Sequence, residues 1–311
     1  MTVSAEFDRS GLTGVATGIL TPFDDALEVD HNALAANARA IYDGGVRTFF
    51  ACGNVSEYHS LSHDERIAVT ETSIDALGSD ATVLAGAGGS TKTAVALARA
   101  HETAGADAIM VMPPDHTYLH EDGLIAYHRR IAEAVDVPLV PYVRGYDPAV
   151  GLVARLTDLP SVAGLKWAVE DAAKFAECVA AGADDVVWLN GLGEPHAPAL
   201  YAEGARGMAA GIGNFEPAVA LALFDALEAG RTERARAIRD ATVPYMNFRT
   251  ESGTDTTFPA AYSIPAVKAG LEFAGLTGGP VREPLVDLPE AAYERARALY
   301  EDITAFIDEE L

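Results

Sequence analysis

Thr48-Phe-Phe-Ala-Cys-Gly53, then Ser62-His-Asp-Glu65, then Thr82-Val-Leu-Ala-Gly-Ala-Gly88: the first and last are short apolar, β-rich runs, and the middle one opens a helical pattern over His63–Leu77. The runs are near-continuous rather than alternating, which marks strands buried on both faces. Ser62 followed three residues later by Glu65 is a capping box, the start signal of the intervening helix. Strand, helix, strand is the unit of a parallel sheet.

The unit repeats in both directions. Apolar runs occur at Gly14–Phe23, Thr48–Gly53, Thr82–Gly88, Ala108–Pro114, Pro138–Val143, Val162–Ala168, Val186–Gly191 and Gly207–Gly213. Helical patterns fall between them, as at His31–Gly44 (preceded by Asp30), Thr91–Ala104, Glu121–Val135 and Asp171–Ala181. Regular βα alternation predicts a (β/α)8 TIM barrel. An open doubly wound sheet would want a glycine fingerprint after the first strand, and Thr21-Pro-Phe-Asp-Asp-Ala26 lacks one. Beyond Glu216–Ala229 the strand signals stop, and Thr232–Phe248, Tyr262–Ala274 and Pro289–Glu309 predict helices. The expected organisation is a catalytic barrel over 1–230 and a C-terminal helical appendage over 231–311.

The 311 residues are 49% hydrophobic, enough for a large core. Net charge is −24, from 46 acidic against 22 basic residues spread along the chain. Such a surface repels nucleic-acid phosphates and anionic membranes. With lysine at only four positions, it suggests adaptation to a high-salt cytoplasm. Cys52 and Cys178 supply neither a disulfide framework nor metal spacing. The opening Met1-Thr-Val-Ser-Ala-Glu-Phe-Asp8 does not look like a signal peptide, and no apolar run approaches the roughly 18–20 residues of a membrane span. A soluble, cytoplasmic protein is expected, without metal or other cofactor. The eight histidines give no paired ligands with a third. Gly86-Ala-Gly-Gly-Ser-Thr-Lys-Thr93 fails as a phosphate loop because Thr91 stands where glycine is needed; Ser90 reads better as a helix cap. No nucleophile elbow follows a strand, and Trp167 and Trp188 read as core.

Barrel chemistry sits at the C-terminal ends of the strands. Strand six there carries Lys166, inside Ser161-Val-Ala-Gly-Leu-Lys-Trp-Ala-Val169. A buried, unpaired ammonium tends to lose its proton and becomes a nucleophile for carbonyl carbon; alternatively it snorkels to water or pairs with an acid. Tyr142, in Pro141-Tyr-Val-Arg-Gly-Tyr146, falls at a corresponding depth on strand five, where a phenol can relay protons or simply fill the core. Strand two ends in Gly53-Asn-Val-Ser-Glu57, strand four in Pro113-Pro-Asp-His-Thr-Tyr118, strand seven at Asn190, and strand eight carries Ala209.

These residues resemble the class I Schiff-base lyases of the dihydrodipicolinate synthase and N-acetylneuraminate lyase family. The likeness runs from Gly18-Ile-Leu-Thr-Pro-Phe23 through the strand-two loop, the strand-five tyrosine and Gly164-Leu-Lys166 to Ile264-Pro-Ala-Val-Lys-Ala-Gly-Leu271. It implies that Lys166 forms an imine with a 2-keto acid, that Tyr142 relays protons, and that Gly53, Asn54, Val55 and Ser56 hold the substrate carboxylate, with Asn190 and Ala209 completing the pocket. The chain departs from the family's Gly-Thr-Thr-Gly-Glu. Val55 replaces the second threonine and Asn54 the relay threonine, while His116 stands where a tyrosine crosses the subunit interface. Backbone N–H groups of Val55 and Ser56, the Ser56 hydroxyl or the Asn54 amide are candidates to make up the loss. Pro113-Pro114 and Tyr142-Val-Arg144 resemble the branch that dehydrates keto-deoxy sugar acids, which makes Arg144 a candidate for the substrate's distal end. The synthases' second-substrate arginine aligns near Asp147 and is absent. The expected activity is therefore dehydration or aldol cleavage of a 2-keto-3-deoxy sugar acid. A pyruvate-condensing synthase and a non-catalytic keto-acid-binding barrel are the alternatives. The resemblance also implies a homo-oligomer, a tetramer built from dimers.

Overall fold

The computed structural model describes residues 7–253 and 256–311; residues 1–6, which open the stretch without signal-peptide character, lie outside them. Eight parallel strands close into a barrel in chain order. They are β1 (Gly14–Gly18), β2 (Thr48–Ala51), β3 (Thr82–Ala87), β4 (Ala108–Val111), β5 (Leu139–Val143), β6 (Gly164–Trp167), β7 (Val187–Asn190) and β8 (Gly207–Ala210). Closure comes from β1 against β8, with Ala16 opposite Ala209. The strands are buried almost throughout because helices cover their outer faces.

Those helices are α1 (His31–Asp43), α2 (His63–Ala76), α3 (Thr91–Ala104), α4 (Glu121–Ala132), α5 (Val150–Thr157), α6 (Ala172–Ala181), α7 (Ala197–Ala202) and α8 (Pro217–Glu228). Their starts follow the sequence. Asp30 accepts from the Ala33 N–H at 2.9 Å, and Ser90 from the Thr93 N–H at 3.2 Å. The capping box closes in both directions: Glu65 N–H donates to Ser62 Oγ at 3.3 Å, and Ser62 N–H to Glu65 Oε2 at 2.8 Å. The first apolar run outlasts its strand. Ile19, Leu20 and Phe23 stay buried after β1 ends, and the chain then turns over Asp24–Leu27 on its way to α1.

Three further helices, α9 (Thr232–Thr250), α10 (Ser263–Phe273) and α11 (Glu290–Glu310), form the appendage. Tyr245, Phe248 and Val267 from these helices join the barrel's own core, against Phe215 before α8. Tyr245 donates to the Ala266 carbonyl at 2.7 Å, and Tyr300 to Glu216 at 2.7 Å. Asn37 of α1 exchanges two hydrogen bonds with the backbone of Thr277. Trp167 and Trp188 are core residues on either side of Phe175. Among the described residues no helix is long and apolar enough to cross a membrane.

Candidate active site

Tyr142 and Lys166 are direct partners in the β5–β6 register. The Lys166 amine stands 3.8 Å from the centre of the Phe50 ring, 4.4 Å from that of Tyr142 and 3.8 Å from Met110 Sδ. Among the described residues no carboxylate pairs with it, and the residue is 8% exposed, so it neither snorkels nor sits in an ion pair. Desolvation pushes its pKa down to about 7, and the nearby Arg144 charge pushes the same way. Aromatic faces offer the ammonium some quadrupole attraction but no proton acceptor. A substantial fraction of the amine is thus neutral near pH 7, with its lone pair free. Phe50 and Met110, which complete this environment, carry no signal in sequence beyond ordinary strand hydrophobicity.

The strand-two loop is shaped by its own backbone and by the Ser56 side chain. Non-glycine residues in the left-handed region bracket it, Cys52 at φ 52° and Glu57 at φ 56°. Such conformations are costly and persist where surroundings over-determine them. Gly86 permits the entry: a Cβ there would lie 2.1 Å from the Cys52 carbonyl oxygen. Ser56 is fully buried, and its hydroxyl accepts from the Gly53 N–H at 3.1 Å and donates to the Ile19 carbonyl. Its backbone N–H donates to the Gly53 carbonyl at 3.1 Å. The hydroxyl expected as a substitute donor is therefore engaged in shaping the loop. Within the loop Gly53–Glu57, the backbone N–H groups without a protein acceptor among the described residues are those of Asn54 and Val55. The free amides thus lie one residue earlier than the Val55–Ser56 pair expected from sequence. The Val55 isopropyl group lies against Gly18, where a Cβ would come within 2.2 Å of Cγ2.

Arg144 follows β5 and is exposed; among the described residues it has no ion-pair partner. Asp147 pairs with Lys174. Asn190 is buried, and its amide builds its own turn, donating to the Gly193 carbonyl at 2.8 Å and accepting from the Leu192 N–H at 2.8 Å. Ala209 is half-buried and brings only a methyl group. His116 is exposed on the strand-four loop, with Nδ1 accepting from the Tyr118 N–H at 3.0 Å. Sequence reasoning did not single out Glu194. Its buried carboxylate accepts from the N–H groups of Gly211 and Ile212 at 3.1 and 2.8 Å, and burial raises its pKa. The backbone donors after β8, where barrel enzymes often hold phosphate, are thus filled from within. Among the described residues there is no group of three or more His, Cys, Asp or Glu side chains that could hold a metal ion.

The chain matches the Dihydrodipicolinate synthetase family over residues 11–303. It is 30% identical over 283 residues to a protein of Acidovorax ebreus named a probable 5-dehydro-4-deoxyglucarate dehydratase, covering 89% of this chain and 90% of that one. It is 31% identical over 288 residues to an uncharacterised DapA-like lyase of Halobacterium salinarum, covering 91% of each. The crystal structure of dihydrodipicolinate synthase from Oceanobacillus iheyensis superposes with a TM-score of 0.89 at 26% identity, covering 97% of this chain and 98% of that one.

Proposed function

Because the chain belongs to the dihydrodipicolinate synthetase family and is a lyase-type enzyme, we propose that it acts on a 2-keto-3-deoxy sugar acid through an imine on Lys166. One observation carries this reading: a buried amine with its pKa lowered to about 7 and no acid partner, directly beside a tyrosine. The amine attacks the C2 carbonyl, and the carbinolamine loses water to give a protonated imine. That electron sink lets C3 release a proton, forming an enamine. Expulsion of the C4 hydroxyl, protonated as it leaves, completes a dehydration. Aldol cleavage instead breaks the C3–C4 bond of the imine as the C4 hydroxyl loses its proton, giving an aldehyde and, after hydrolysis, pyruvate. Tyr142 is the group placed to move these protons.

Asn54 and Val55 offer two amides to the 2-keto carboxylate, and Arg144 suits a distal carboxylate or hydroxyl. Glu194 in the β8 cradle favours a substrate without phosphate there. The dehydratase name of the Acidovorax relative favours elimination over cleavage. A pyruvate-condensing synthase is the second reading, favoured by the likeness to the Oceanobacillus structure but opposed by Asp147 in its ion pair. A homo-oligomer, a tetramer built from dimers, is part of the proposal; exposed Tyr118 and Leu119 beside His116 offer apolar surface for it. Borohydride reduction with pyruvate and a panel of keto-deoxy acids, read by intact mass and peptide mapping, tests the reading. The adduct is expected on Lys166; an adduct on Lys268, or none with any keto acid, refutes it.

A further inference from the structure

Glu57 ends the strand-two loop, and its carboxylate is wholly buried. One oxygen lies 2.7 Å from the Lys268 amine of α10, whose side chain is 3% exposed. The same amine donates to the Pro280 carbonyl at 2.5 Å and stands 4.5 Å from the centre of the Phe23 ring. The other Glu57 oxygen accepts from the Arg282 backbone N–H at 3.2 Å. The Arg282 guanidinium then grips both oxygens of Glu65 in α2 and the carbonyls of Leu27 and Ser60. The end of the loop is thus bolted to the appendage. Glu57 N–H donates back to the Asn54 carbonyl at 3.1 Å, so the left-handed Glu57 fixes the peptide that carries the free Val55 amide.

A buried ion pair adds little net stability over well-packed apolar residues of the same shape. Its clearest consequence here is geometrical, because it pins a strained residue next to two unpartnered amides. We propose that Lys268 is a positioning residue: through Glu57 it holds the Asn54 and Val55 amides in the arrangement that receives the substrate carboxylate. This rests on the reading of that loop as the carboxylate site. Carboxylate binding is shared by ground state and transition state, so its loss raises KM and leaves kcat nearly unchanged.

The test compares Lys268→Met with the double variant Glu57→Gln/Lys268→Met, in which no uncompensated charge remains. The double variant is expected to recover the melting temperature lost in the single one. The half-saturating pyruvate concentration for borohydride trapping on Lys166 should nevertheless stay roughly 10- to 100-fold above wild type, with the maximal trapping rate within about threefold. Hydrogen exchange of the ligand-free protein should show faster exchange over Gly53–Tyr58 in both variants. Wild-type half-saturation in the folded double variant would overturn the assignment and leave Lys268 a purely structural residue. If the wild type traps no keto acid, the proposed reaction falls by itself; the exchange arm then decides, and unchanged exchange over Gly53–Tyr58 in the folded double variant overturns the inference.

Discussion

Burial holds the Lys166 amine close to its neutral form, and the fold bears a cost for it. An unfolded lysine titrates near 10.4, whereas the folded one titrates at about 7. Between those values the unfolded chain binds the extra proton, so this group destabilises the fold most below pH 7, and the penalty fades as pH rises toward 10. Lys166→Met should raise the melting temperature, more at pH 6 than at pH 9, while abolishing keto-acid trapping; an equal gain at both values would show that burial is not the cause. In the wild type, the rate of trapping should climb with pH through about 7 as the amine loses its proton. Tyr142 is tested separately. Tyr142→Phe keeps the ring against the amine and removes only the hydroxyl, so turnover should fall by roughly 10²–10⁴-fold; near-normal turnover would remove it from the mechanism.

The strands and their order were legible because a barrel strand buried on both faces writes a short apolar run, and each run here contains its strand. The capping box and the Asp30 and Ser90 caps were equally local. What sequence could not show is what depends on contact across the chain. Glu57 and Lys268 each sit in a quoted motif, yet nothing in either motif says that they meet. Ser56 looked like a ligand donor because a hydroxyl is a donor; its engagement with Ile19 follows only once β1 and β2 are neighbours. Glu194 was invisible because its role depends on the backbone of Gly211 and Ile212. The strand-two loop is the element where this matters most. Its free donors are backbone amides, so Val55→Thr, which keeps the branched shape against Gly18, should be accepted and should leave pyruvate half-saturation within about threefold, or tighten it through the added hydroxyl. Abolished binding would place the carboxylate elsewhere.

Across the whole molecule, a charge of −24 sets the conditions under which these details can be measured. Among the described residues most acids have no cation within ion-pair distance, and their mutual repulsion falls as the Debye length shrinks from about 10 Å at 0.1 M salt to about 3 Å at 1 M. The melting temperature should therefore rise steadily with KCl, and sedimentation at high salt should show a species larger than one chain. Full stability at low salt would remove the case for a high-salt setting, and an active monomer at every concentration would reduce His116 to an ordinary surface residue.

The distribution of lysine has a practical side. Of four amines, two are buried and Lys174 is tied to Asp147, which leaves Lys92 as the exposed, unpaired side-chain amine among the described residues. To acylating labels and amine-coupled surfaces the described residues therefore offer a single open lysine. An electrophile small enough to enter the barrel mouth would meet the most reactive lysine there, with one exposed and unpaired lysine among the described residues to compete.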